Sequence, residues 1–173
     1  SHEAAVADIE RYDAVIVRVA PLDAAVLDRA DNLQVIAKHG SGLDNVDIAA
    51  ASRQDIVVCN TPGANARSVA EHSIGLIFGL ARHLRGADRH VRSGGWNRSD
   101  FTGTELRGKT IGIYGFGAIG REVASLAAGI GMNVQVYDSH KGDDEFPAGV
   151  ERSETLPDLF EQSDVVSLHV PLT

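Results

Sequence analysis

The chain has 173 residues, a length that suits one domain or parts of two. Its 43% hydrophobic and 23% charged residues are typical of a globular protein with a buried core. The net charge of -8 argues against a nucleic-acid-binding face, and no apolar run approaches the roughly 18 residues of a membrane span. We therefore expect neither a nucleic-acid partner nor a membrane partner.

The first half of the chain alternates short apolar runs with segments of helical spacing. The predicted elements are strands at 14–17, 34–37 and 56–59 and helices at 22–30 and 45–53. The runs are rich in β-branched residues, which is typical of parallel strands buried on both faces. Cys59 ends the third run and is predicted to be buried. As the single cysteine, it favours a reducing compartment and hence a cytoplasmic location.

A longer helix is predicted from residue 69 to about residue 84, after a turn-rich segment at 60–65. Ser68 and Glu71 have the spacing of a capping box at its start. Apolar residues on nearly every side of this helix predict burial all round. Residues 85–103 are polar and without a regular pattern, which suggests either an arm on a partner subunit or a mobile segment.

Strand–helix alternation then resumes. The predicted elements are strands at 110–114, 133–137 and 164–169 and helices at 119–128 and 156–161. The first strand runs directly into Gly115-x-Gly117-x-x-Gly120, and a predicted helix leaves that loop. Asp138 follows 21 residues after Gly117, at the end of the next strand. Glycine loop, helix and acidic residue together make up a dinucleotide-binding fingerprint.

Each residue type in the fingerprint has a chemical reason. Gly115 permits a tight turn, Gly117 lets backbone amides approach a pyrophosphate, and Gly120 lets the helix pack closely on the strand. The helix N-terminus offers unpaired amides to the phosphates. Asp138 can accept both ribose hydroxyls and would repel a 2′-phosphate, which favours NAD over NADP. A purely structural glycine turn, or another nucleotide-type ligand such as S-adenosylmethionine, remains an alternative.

A second pattern is misleading. Residues 103–110 match the G-x-x-x-x-G-K-T pattern of nucleotide hydrolases, but that loop must precede a helix. Here Lys109 and Thr110 run into a predicted strand, so we reject this interpretation. The seven histidines show no metal-ligand spacing, and no metal site is expected.

Five stretches in order along nearly the whole chain resemble the D-2-hydroxyacid dehydrogenase family, and most of all its D-3-phosphoglycerate dehydrogenases. They are residues 38–47, 60–65, 69–72, 103–113 and 167–173. The resemblance implies two doubly wound parallel α/β domains, both incomplete in this chain. A flavodoxin-like substrate domain would cover residues 1–64, and a Rossmann NAD-binding domain would cover residues 65–173. Hydride would pass between nicotinamide and C2 of a D-2-hydroxy or 2-keto acid.

The resemblance also implies site residues. Backbone amides of Gly40, Ser41 and Gly42 would hold the substrate carboxylate, with Ser41 beside the nicotinamide, in a cleft between the domains. The remaining cofactor contacts would come from Gly115, Gly117, Ala118, Ile119, Gly120, Asp138, His169, Val170 and Pro171. Ala118 stands where the family commonly has Arg. The family's catalytic Arg, Glu and His are expected beyond Thr173, so no catalytic residue is assigned here, and this chain alone should not turn over.

The resemblance further implies a homodimer formed through the arm at residues 85–103, with Trp96 as an aromatic anchor. One alternative function is kept from another class. Some relatives, such as the C-terminal binding protein corepressors, retain the cofactor site and act as dinucleotide-sensing interaction proteins.

Overall fold

The computed structural model describes residues 6–142 and 145–171 and divides into two compact units. Unit 1 is Ser1–Asn65 and unit 2 is Ala66–Thr173. The domain boundary predicted between residues 64 and 65 differs from this division by one residue. Each unit has its own sheet and its own hydrophobic core.

Unit 1 is built on a three-stranded parallel sheet. Its elements are β1 (Ala14–Val17), α1 (Ala24–Leu27), β2 (Val35–Lys38), α2 (Ile48–Arg53) and β3 (Val57–Cys59). The strand order is β1-β2-β3, and β2 pairs in parallel with both neighbours. Asp23 and Asp47 cap the two helices, since their carboxylates accept hydrogen bonds from the amides of Val26 and Ala50.

Unit 2 contains a four-stranded sheet. Its elements are α3 (Ala66–Ala81), α4 (Leu84–Arg92), β4 (Thr110–Tyr114), α5 (Ala118–Gly129), β5 (Asn133–Tyr137), β6 (Val150–Arg152), α6 (Leu156–Gln162) and β7 (Val165–Leu168). All pairings are parallel, in the order β6-β5-β4-β7. The order therefore reverses between β4 and β7, and such a reversal opens a crevice at the carboxyl ends of the strands. This confirms the predicted parallel α/β fold with a Rossmann-like second unit.

The core of unit 2 fixes the loop that follows β4. Ile111 and Ile113 of β4 are fully buried, as is Phe116 in the loop itself. The Phe116 ring stacks on Phe146 at a centroid distance of 5.3 Å. A buried aromatic at this position anchors the turn between β4 and α5, because removing it would open a large void in the core.

Helix α3 differs from its prediction in two respects. It begins at Ala66, so Ser68 lies inside the helix, and Glu71 binds Arg67 with an Nε to Oε1 distance of 2.9 Å. The predicted capping box is therefore wrong. Burial all round is also wrong, since Leu76 and Leu80 are 56% and 77% exposed. The buried residues repeat every three or four positions along one face: Ala66, Ala70, Ile74 and Ile77.

Residues 85–103 are predicted to be irregular, and this prediction is wrong because the segment contains two helices. Helix α4 covers Leu84–Arg92, and a short 3-10 helix covers Ser99–Phe101. No residue of α4 is buried. Leu84, Ala87 and Val91 do have helical spacing, but the charged residues around them give the segment the polar composition from which irregular structure is predicted. Near its C-terminal end, Arg92 and Asp88, one turn apart, form an ion pair at 2.8 Å.

The remaining differences between the predicted and the observed strands concern strands at the edges of the two sheets. Ile16 in β1 and Val57 in β3 are 84% and 61% exposed, and Cys59 is exposed, so the predicted burial of Cys59 is wrong. Burial on both faces holds for β4 and β5, the central strands of unit 2, which each carry three buried residues, whereas β2 in unit 1 carries one. Strand β6 is not predicted from the sequence, because Val150 is its single apolar residue.

Two further observations concern excluded functions. Among residues 6–142 and 145–171, no helix is long and apolar enough to cross a membrane. Lys109 pairs with Asp164 at 3.0 Å, and Thr110 is the first residue of β4. The rejected nucleotide-hydrolase pattern thus leads into a strand, where it cannot form a phosphate-binding loop.

Candidate functional site

Gly115 makes the turn that leaves β4. Its φ of +96° lies in the left-handed region, which favours glycine. A Cβ at this position would lie 2.6 Å from the carbonyl oxygen of His169 and 2.8 Å from Cγ1 of Val170. Both the backbone conformation and the close approach of the chain after β7 therefore require glycine here.

Gly120 lies in the first turn of α5 and is buried. A Cβ there would overlap the carbonyl oxygen of Gly115. The helix can therefore pack close to the turn, as the fingerprint requires, only because position 120 has no side chain.

Gly117 differs from the other two glycines of the loop. It is the N-cap residue of α5, its φ of -76° is open to any residue, and no protein atom lies within 4 Å of where its Cβ would be. The protein's own packing gives no reason for glycine at this position. The open space lies beside a helix N-terminus without a side-chain cap, where backbone amides can hold an anion.

Asp138 is the first residue after β5 and is tied to the glycine loop. Its Oδ2 accepts a 2.8 Å hydrogen bond from the Phe116 amide, and its Oδ1 accepts a 2.9 Å bond from the His140 amide. Burial alone would raise the pKa of Asp138, but these two bonds and the nearby charge of Lys141 hold the pKa below its usual range. Asp138 is therefore an ionised, oriented acceptor with lone pairs left for a ligand.

A cavity of about 480 Å³ joins these features at the carboxyl ends of the strands. Six of the predicted cofactor residues line it: Gly115, Gly117, Asp138, His169, Val170 and Pro171. The lining also includes three residues that were not predicted, Tyr114, Ser139 and His140. Each of them is next to a predicted residue or one position further along the chain. Ala118, Ile119 and Gly120 form the first turn of α5.

His169 enters the cavity from the end of β7. Its amide donates to the Tyr114 carbonyl at 2.8 Å, which extends the pairing of β4 with β7 by one residue. Its Nε2 lies 2.9 Å from Oγ of Ser167. Partial burial lowers the pKa of His169, so this wall of the cavity carries a neutral imidazole at neutral pH.

Gly40, Ser41 and Gly42 lie in unit 1, in the loop that follows β2. The segment after β3 holds this loop: the Asn60 side chain donates to the Ser41 carbonyl at 2.8 Å, and the Thr61 amide donates to the Gly40 carbonyl at 3.1 Å. The Gly40 amide donates to Oγ1 of Thr61 at 3.2 Å. An anion at that amide must therefore share or displace this bond.

The Ser41 side chain also contacts the segment after β3. Its Oγ lies 2.9 Å from Oδ1 of Asn65 and 3.2 Å from the Thr61 carbonyl. Residues 60–65 are predicted to be a turn-rich segment, but their contacts with the Gly40–Ser41–Gly42 loop are not predicted from the sequence. The concentration of turn residues with side-chain donors after β3 is the signal that could have suggested them.

The family model and the similar proteins all point to the same family of enzymes. The family model "D-isomer specific 2-hydroxyacid dehydrogenase, NAD binding domain" matches residues 74–173. A D-3-phosphoglycerate dehydrogenase of Archaeoglobus fulgidus is 41% identical over 174 residues, covering 100% of this chain and 33% of that protein. A hydroxypyruvate reductase of Thermotoga maritima is 43% identical over 166 residues, covering 95% of this chain and 53% of that protein.

Among solved structures, an NAD⁺-bound 3-phosphoglycerate dehydrogenase of Entamoeba histolytica has a TM-score of 0.79 and 34% identity. That match covers 100% of this chain and 51% of the other. The chain thus spans between about a third and half of the length of these relatives. All three are dehydrogenases or reductases by name, and they do not support the corepressor-type alternative.

Proposed function

We propose a function from one established premise: the chain belongs to the D-isomer-specific 2-hydroxyacid dehydrogenase family. The proposed function is NAD-dependent hydride transfer between nicotinamide and C2 of a D-2-hydroxy or 2-keto acid. The observation that carries it is the cavity where the β4–α5 glycine loop, the ionised Asp138 and the chain after β7 meet. A cytoplasmic location, favoured by the single cysteine, belongs to the same proposal.

The residues of the cavity fit the chemistry of a dinucleotide. The open space at Gly117 leaves room for phosphate oxygens against the first amides of α5, including those of Ala118, Ile119 and Gly120. Asp138 would accept hydrogen bonds from the ribose hydroxyls, and its charge would disfavour a 2′-phosphate. His169, Val170 and Pro171 would cover the adenosine.

Bound NAD would supply the hydride acceptor, so that the hydroxy acid loses a hydride from C2 and its hydroxyl proton and becomes a 2-keto acid. The substrate carboxylate would bind the loop Gly40–Ser41–Gly42 of unit 1, and Ser41 is also proposed as a cofactor contact. The hydrogen bonds from Asn60 and Thr61 preorganise this loop. No residue of this chain is assigned the proton transfer.

Enzymatic turnover tests this function. In the protein that carries this chain, we expect NADH oxidation, followed by absorbance, to depend on an added 2-keto acid such as hydroxypyruvate, glyoxylate or pyruvate. The reverse reaction is expected with the D-isomer of the 2-hydroxy acid and not with the L-isomer. NADH oxidation that no 2-keto acid stimulates would contradict the proposal.

The arm around α4 supports a proposed homodimer. Trp96 is 75% exposed, and the Arg98 guanidinium lies 5.8 Å from its ring centroid. Trp96 lines an apolar cavity of about 310 Å³ together with Ala87, Val91 and Phe101. A large exposed aromatic beside an apolar cavity is typical of an interface centre, and a second copy of this chain is the proposed partner.

Trp96→Ala is expected to weaken this dimer by about 2 kcal/mol or more, or roughly 30-fold in the dissociation constant. Sedimentation velocity over a concentration series measures the effect. Phe160→Ala is a matched control, because Phe160 is also an exposed aromatic, at 50%, and lies outside the arm. A wild-type protein that stays monomeric, or a Trp96→Ala variant that dimerises like the wild type, would count against the arm as the interface.

A further inference from the structure

An ion pair lies next to Asp138 in the turn after β5. Nζ of Lys141 donates to Oε2 of Glu145 at 2.6 Å, and Oε1 of Glu145 accepts a 3.1 Å hydrogen bond from the Gly142 amide. The Lys141 side chain is only 16% exposed, an unusually low value for a lysine. Glu145 thus holds the ammonium group of this lysine in an ion pair.

A second cation also acts on Glu145. The hydrogen bonds from Lys141 and the Gly142 amide, together with the charges of Lys141 and of Arg121 on α5, lower the pKa of Glu145. The Arg121 guanidinium lies 5.4 Å from the ring centroid of Phe116, whose amide binds Asp138. The Glu145 carboxylate therefore interacts with positive charge from two elements, the turn after β5 and helix α5.

We propose that Glu145 is a specificity-determining residue of the cofactor site, because it keeps Lys141 in an ion pair and so withholds it from a 2′-phosphate. This inference rests on the proposed function, in which Asp138 holds the ribose hydroxyls. Discrimination against NADPH then has two parts. Asp138 repels the 2′-phosphate, and Glu145 occupies a cation that could bind it.

The repulsion by Asp138 and the pairing of Lys141 with Glu145 disfavour NADPH in different ways. Removing the charge of Asp138 ends a repulsion but supplies no partner for the phosphate, whereas releasing a lysine supplies a charge-assisted donor. Lys141 is three residues beyond Asp138, and its charge already lowers the pKa of Asp138. Asp143 and Asp144 lie between Lys141 and Glu145 in the sequence, outside the described residues. They are the same in every variant compared below.

The experiment is a set of NADH and NADPH titrations by calorimetry on the full chain. We expect Asp138→Asn with Glu145→Gln to bind NADPH about tenfold or more tighter than Asp138→Asn alone. Adding Lys141→Met should remove this gain. Glu145→Gln alone should narrow the preference of the wild type for NADH, and this result does not depend on how well any Asp138 variant folds. Glu161→Gln, which removes a carboxylate that does not line the cavity, should leave the preference unchanged.

Equal NADPH affinity with and without Glu145→Gln would overturn the inference, and so would a gain that survives Lys141→Met. In both cases NADH binding by the wild type would leave the proposed function intact. A wild type that binds no NADH would instead contradict the proposed cofactor site, and the inference would fail with it.

Discussion

Replacing Gly120 with alanine is expected to destabilise unit 2 by about 2 to 3 kcal/mol. The new Cβ would overlap the carbonyl oxygen of Gly115, a backbone atom in a turn that glycine's positive φ already constrains. Neither atom can move without shifting α5 away from β4, where the core is fully buried. Urea unfolding followed by circular dichroism measures the loss.

Gly129→Ala is the matched control for this experiment. It is the same substitution in the same helix, but no atom lies within 4 Å of the position of its Cβ. Alanine there should be neutral or slightly stabilising, because it lowers the conformational entropy of the unfolded chain. Unfolding of Gly120→Ala at the same urea concentration as the wild type would show that α5 does not need this close approach.

Replacing Gly117 with alanine is expected to have the opposite pattern of effects. Its φ suits alanine, and its Cβ would meet no protein atom within 4 Å, so the free energy of unfolding should change by less than about 0.5 kcal/mol. NADH affinity should nevertheless fall by about tenfold or more, because the methyl group would occupy the space that we assign to the phosphates. Calorimetric titration and thermal unfolding of the same preparation separate the two effects.

The comparison between Gly117→Ala and Gly120→Ala separates binding from folding. One glycine is open to solvent and faces the cavity, whereas the other is buried against a backbone carbonyl. Wild-type NADH affinity in Gly117→Ala would mean that the phosphates do not pass over this residue. The proposed orientation of the dinucleotide would then be wrong.

Much of the parallel α/β fold could be predicted, because its signals are local. Strands β4 and β5 are short β-branched runs bounded by turn residues, and their predicted ranges match the structure. The glycine loop and Asp138 could be identified as a pair because their spacing along the chain is characteristic. The cavity brings six of the predicted cofactor residues together, since parallel strands end at one edge of the sheet.

Other features could not be predicted, because they depend on tertiary contacts or lack a pattern. Helix α4 buries no residue, and its few apolar positions are outnumbered by charged ones in a polar segment. The bond from the Phe116 amide to Asp138 spans 22 residues, and no propensity indicates it. The influence of Arg121 on Glu145 arises only when α5 packs beside the turn after β5. In unit 1, the hydrogen bond from the Gly40 amide to Oγ1 of Thr61 likewise joins two separate loops.

The most direct test of the account is calorimetric titration of NADH and NADPH into the wild-type chain at neutral pH. Asp138 is ionised there and Lys141 is paired with Glu145, so we predict saturable NADH binding at one site and at least about tenfold weaker NADPH binding. Absence of NADH binding, or tighter binding of NADPH than of NADH, would contradict the assignment of the cavity at Gly117 and Asp138 as an NAD site.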